Sequence, residues 1–76
     1  MTTYCDKESA VWFVAPAHVE GKNSKAATRY TVWRQLPGKA AVTIQQVAEM
    51  KTRKNQQLVQ AELDKFALTQ PGMVAI

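Results

Sequence analysis

Apolar positions recur along this chain with two different periods, and the change falls near Thr43. Before it lie short apolar runs and two-residue alternation; after it the spacing is that of a helix. From Thr43 to Leu68 the chain reads TIQQVAEMKTRKNQQLVQAELDKFAL. Ile44, Val47, Ala48, Leu58, Val59, Leu63 and Phe66 fall within one arc of roughly 160° on a helical projection. Thr43 and Gln46 have the spacing of a capping box, the residues that follow are mostly strong helix formers, and Pro71-Gly72 reads as a stop. The phase is kept across a polar gap that holds Lys51, Thr52 and Asn55. These features predict one helix of roughly 26 residues and about 39 Å. The alternative is a break near Lys51–Asn55 that gives two shorter helices. A coiled coil fits the pattern less well, because Lys51, Lys54 or Asn55 intrudes in every heptad frame.

The first half predicts strands. Ala10–Ala15, AVWFVA, is apolar on both faces, with Val11, Phe13 and Ala15 on one and Trp12 and Val14 on the other. Pro16 is expected to end it. Thr28–Leu36 alternates: Tyr30, Val32, Arg34 and Leu36 share one face with Thr28, and Arg29, Thr31, Trp33 and Gln35 share the other. Pro37-Gly38 suits the centre of a type II turn, with Lys39–Val42 as a short returning strand. The apolar tail Met73–Ile76 is a candidate last strand. Residues 1–9 are polar and expected to form a loose lead-in, and residues 16–27 a mobile loop. The predicted fold is a single α+β domain over residues 1–76: a small antiparallel sheet of two to four strands packed against one long C-terminal helix.

Composition narrows the chemistry. With 76 residues the core is small, and a second copy would enlarge it, so a homodimer is compatible with the sequence. A single cysteine, Cys5, excludes an intrachain disulfide and a cysteine-based zinc cluster, and fits a reducing, cytoplasmic setting. The longest apolar run, Ala10–Ala17, is too short for a signal peptide or a membrane span. Lone His18 has no partner that would make it a ligand or a base. Glu62 and Asp64 point to different sides of the predicted helix, and no glycine-rich phosphate loop is present. No enzyme activity, cofactor, metal or small-molecule substrate is expected.

The net charge of +4 is uneven. Residues 1–20 carry a net −2, residues 21–54 a net +7 and residues 55–76 a net −1. A basic centre selects a polyanion or an acidic protein surface. Two groups carry it. Lys51, Arg53 and Lys54 are suited to phosphates, with Asn55 beside them able to read a base edge. Arg29, Trp33 and Arg34 lie together on one strand, where an aromatic beside arginines stacks bases or anchors a protein interface. The sequence therefore points to a small non-enzymatic regulator that binds nucleic acid. The second reading is an inhibitor or adaptor that occupies another protein's surface.

Overall fold

The computed structural model describes residues 2–18, 28–43 and 55–76. Their elements, in order, are β1 (Tyr4–Cys5), β2 (Val11–His18), β3 (Thr28–Gln35), β4 (Val42–Thr43), α1 (Gln56–Thr69) and β5 (Val74–Ala75). The strands form one open antiparallel sheet in the order β4-β3-β2-β1-β5. The fold is α+β with five strands, one more than the predicted range, because the N-terminal segment supplies one.

The central pair is β2 and β3, whose β-branched and aromatic residues suit a pleated surface. Their register runs from Val11↔Gln35 to His18↔Thr28. Pro16 does not end β2; the strand continues through it to His18. Proline is tolerated there because β1 pairs only with Trp12 and Val11, which leaves the rest of β2 an edge on that side among the described residues. The predicted loop over residues 16–27 therefore starts later, and its remainder, residues 19–27, lies outside the described residues.

Residues 1–9 are no loose lead-in. Tyr4 and Cys5 pair with β2 on one side and with β5 on the other. The turn between β1 and β2 is built by Asp6. Its backbone N–H donates to Ala10 O at 3.0 Å, and its Oδ1 accepts from the amides of Glu8 (2.9 Å) and Ala10 (3.0 Å). Ser9 takes the left-handed position of this turn, with φ 64°. The Leu36–Lys39 turn is the predicted one: Gly38 has φ 72° and the Lys39 amide donates to Leu36 O at 3.1 Å.

The helix does not run unbroken from Thr43 to Leu68; it is interrupted at Asn55, within the Lys51–Asn55 stretch named in the alternative reading. Thr43 is a strand residue opposite Trp33, and the capping box expected between it and Gln46 lies outside the described residues. Asn55 has an extended backbone (φ −102°, ψ 114°), so no helix runs through it. Its Oδ1 accepts from the Gln57 amide at 2.9 Å and starts α1. Residues 44–54, on which the rest of that prediction falls, lie outside the described residues. The C-terminus is as expected: the Gln70 amide donates to Ala67 O, and Pro71-Gly72 turns the chain with Gly72 at φ 81°.

Helix α1 lies across β2 and β3. It buries Val59, Leu63 and Ala67, three positions spaced by four residues, against Ala10, Trp12, Val14 and Val32. Leu58, assigned to the stripe from sequence, is 54% exposed, and Ala67 is buried instead. Phe66 stacks on Trp12 with ring centroids 5.2 Å apart. Tyr4 closes the same face by donating its hydroxyl to Asp64 Oδ1 at 2.7 Å. Among the described residues, no helix is long and apolar enough to cross a membrane.

Candidate functional site

The alternation of β3 decides what its candidate residues can reach. Arg34 and Tyr30 are on the helix side; Arg29 and Trp33 are on the other. The strand therefore splits the Arg29, Trp33 and Arg34 group between two surfaces, as the period of two requires.

Arg34 is held on its side by two carboxylates. Its Nε donates to Asp6 Oδ2 at 3.1 Å and its Nη2 to Glu8 Oε2 at 2.7 Å. The guanidinium carbon lies 6.0 Å from the centroid of the Trp12 ring. The Trp12 indole N–H donates to the same Asp6 Oδ2, at 2.8 Å. Asp6 thus accepts four hydrogen bonds, two from backbone amides and two from side chains of β2 and β3. Burial pushes its carboxyl up, but the bonds from Trp12, from the Ala10 and Glu8 amides and from Arg34 outweigh it, and its pKa lies below the ordinary value. The bond to Glu8 raises the Arg34 pKa; burial opposes this and Asp6 adds to it.

The sequence reading passed over Asp6, although an aspartate followed by charged residues and Ser9 just before an apolar run is turn chemistry. The cluster borders a cleft of about 500 Å³ whose apolar lining includes Trp12, Val42, Phe66, Pro71 and Met73. Its charged lining is balanced, with Asp6 and Glu8 against Lys7 and Arg34.

The opposite face holds the Phe13↔Trp33 pair and, next along, Ala15↔Thr31. Phe13 and Trp33 are half-buried and Thr31 is fully buried. The Trp33 indole N–H donates to Ala15 O at 3.3 Å, which fixes the ring against β2. Arg29, half-buried, comes two residues beyond Thr31, toward the end of the sheet where β3 begins. Asn55 spends its side-chain oxygen on the α1 cap. Lys51, Arg53 and Lys54 lie outside the described residues.

The described body is close to neutral. Lys7, Arg29, Arg34, Lys39 and Lys65 face Asp6, Glu8, Glu62 and Asp64, a net +1 of the total +4. The remaining +3 belongs to residues 19–27 and 44–54. Residues 19–27 are flanked by His18 and Thr28 at one end of the sheet, while residues 44–54 are flanked by Thr43, opposite Trp33 near the other end, and by Asn55 at the helix start. Along α1, Phe66 meets Trp12, Asp64 meets Tyr4, and Gln60 Nε2 reaches Thr2 O at 3.0 Å. The helix N-terminus at Asn55 therefore points toward the end of the sheet where β2 stops at His18 and β3 starts at Thr28. The aligned peptide dipoles of the helix add a partial positive charge at that end.

Among the described residues, no group of three or more His, Cys, Asp and Glu side chains is arranged to hold a metal ion. No family model, curated protein or solved structure matches this chain.

Proposed function

We propose that this protein is a small non-enzymatic regulator that binds nucleic acid through the end of the sheet at which α1 begins. Arg29, Lys51, Arg53 and Lys54 are the phosphate-binding residues of this reading. The observation that carries it is the partition of charge. The described body carries a net +1, while the remaining +3 belongs to residues 19–27, flanked by His18 and Thr28, and residues 44–54, which lead into the helix cap at Asn55. A polyanion that approaches this end meets lysines and arginines and the positive pole of the helix. It meets few carboxylates, because Asp6 and Glu8 are spent on Arg34 near the far end. Arg34 and Asn55 serve the site indirectly, Arg34 by tying β3 to the β1–β2 turn and Asn55 by starting the helix.

A salt titration of binding to duplex and to single-stranded DNA tests this. Each neutralised phosphate contributes a slope of roughly 0.9 on a log–log plot for duplex and about 0.7 for single strands. The variant Lys51→Ala/Arg53→Ala/Lys54→Ala is expected to lower the duplex slope by about 2–3 and to weaken binding at every sequence tested. Binding that ignores both the salt concentration and the triple substitution overturns the proposal.

A further inference from the structure

The helix side of the sheet carries a cleft of about 500 Å³, within the roughly 300–1,000 Å³ typical of small-molecule sites. Its apolar lining is Phe66 on its stack with Trp12, Val42 of β4, and Pro71 and Met73 from the connection between α1 and β5. Its rim is charged, and the rim groups differ in how many hydrogen bonds they have left to make. Asp6 is spent, since each of its oxygens accepts two hydrogen bonds. Arg34 directs Nε to Asp6 and Nη2 to Glu8, which leaves Nη1 without an acceptor among the described residues. Glu8 uses Oε2 for Arg34 and keeps Oε1, on a side chain 71% exposed. Lys7 makes no ion pair among the described residues. Its stem lies against Gly72, where an added Cβ would come within 3.1 Å of Lys7 Cγ, so the glycine is what lets the lysine lie along this wall.

We infer that this cleft binds a small zwitterion with an apolar side chain, the chemistry of an apolar α-amino acid. The ligand's carboxylate accepts from Lys7 Nζ and Arg34 Nη1, its ammonium donates to Glu8 Oε1, and its side chain covers Phe66, Val42 and Met73. The pairing of the unspent groups selects this class. One cation and one carboxylate are left, and they stand on consecutive residues, as the two charges of an α-amino acid stand on one carbon. The four rim charges cancel, so a ligand of net charge zero leaves no surplus. A purely anionic ligand meets Glu8, a purely cationic one meets Lys7, and an uncharged one takes both from water without pairing either. The cleft is open and the ligand has about a dozen heavy atoms, so the dissociation constant is on the order of 1 mM. None of the proposed phosphate-binding residues lines the cleft, and the inference stands apart from the nucleic-acid reading.

Titration of the full chain with L-phenylalanine, followed by the indole N–H signals in an NMR spectrum, tests this. The Trp12 indole is bonded to Asp6 at the cleft, and the Trp33 indole is bonded to Ala15 O on the other face, so the second is an internal control. The expected result is a saturating shift of the Trp12 signal, with a midpoint on the order of 1 mM, and a still Trp33 signal. N-acetylphenylalanine lacks the cation and phenylalanine amide lacks the anion. Each is expected to bind about threefold to fivefold more weakly, the worth of one solvent-exposed ion pair. Lys7→Ala and Glu8→Gln are expected to weaken phenylalanine binding by the same factor, and an unmoved Trp33 signal shows that each variant is folded. Glycine, which has the charges and no side chain, is expected not to saturate below about 50 mM. No Trp12 shift up to about 50 mM phenylalanine, or a Trp33 shift as large as that of Trp12, overturns the inference. Equal binding of phenylalanine, its amide and its N-acetyl derivative overturns the choice of a zwitterion.

Discussion

Removing the Asp6 carboxylate is expected to destabilise this fold more than its place in a polar turn suggests. Two backbone amides, the Trp12 indole and the Arg34 guanidinium all donate to it, at 2.8–3.1 Å. A hydrogen bond contributes about 1 kcal/mol net, and one to a charged group about 1.5–3 kcal/mol. The four together give a bare total near 6 kcal/mol, on those per-bond values. The Asp6 side chain is still 16% accessible, so water replaces part of what is lost, and bonds to one carboxylate are not additive. About 3 kcal/mol is the expected cost of Asp6→Ala. Asp6→Asn keeps one oxygen for the backbone amides but turns an NH₂ toward two donors, and is expected to cost about 2 kcal/mol.

The whole domain is worth only about 4–11 kcal/mol at its size. With a urea slope near 1 kcal/mol/M, the midpoint of Asp6→Ala falls by about 3 M. Tryptophan fluorescence measures it, since Trp12 is buried beside the site. Protonation should act in the same direction. The folded pKa of Asp6 lies below the unfolded value, so its stabilisation is complete above the unfolded pKa, near pH 4, and is lost as the pH falls through the folded pKa. Asp6→Asn should flatten that acid limb. If both variants unfold within about 0.5 kcal/mol of the parent, the carboxylate is not the anchor that its geometry describes.

Two further predictions concern the helix. Leu63 is fully buried between α1 and the sheet, so Leu63→Ala is expected to cost about 3 kcal/mol by opening a cavity, measured by urea unfolding; a loss under 1 kcal/mol refutes the placement of the core. Asn55→Ala removes the acceptor for the Gln57 amide and should cost about 1 kcal/mol, with amide exchange faster in the first turn of α1 and unchanged in β2 and β3. An unchanged exchange rate at Gln57 refutes the cap.

Period and turn chemistry were enough to read the α+β class from the sequence, with the two faces of β3, the Pro37-Gly38 turn, the helical stop at Pro71-Gly72 and the apolar last strand. These are local properties: a side chain's face follows from its place in a repeat of two, and a positive φ follows from glycine. What failed locally was decided by partners distant in sequence. Leu58 fits the helical arc, yet one 14-residue helix on a twisted sheet buries only Val59, Leu63 and Ala67.

The N-terminal residues look polar and free because their worth lies in bonds to Trp12, Arg34 and Asp64, up to 60 positions away. The same holds for the candidate site. The sequence located the positive charge in the middle of the chain, since charge is countable. The period of two already separated Arg34 from Arg29 and Trp33; only the tertiary structure tied Arg34 to Asp6 and Glu8, gave Asn55 to the helix cap and left a described body with a net charge of +1. Which charges remain uncommitted depends on which carboxylates folding brings within 3 Å or so, and no periodicity in the sequence encodes that.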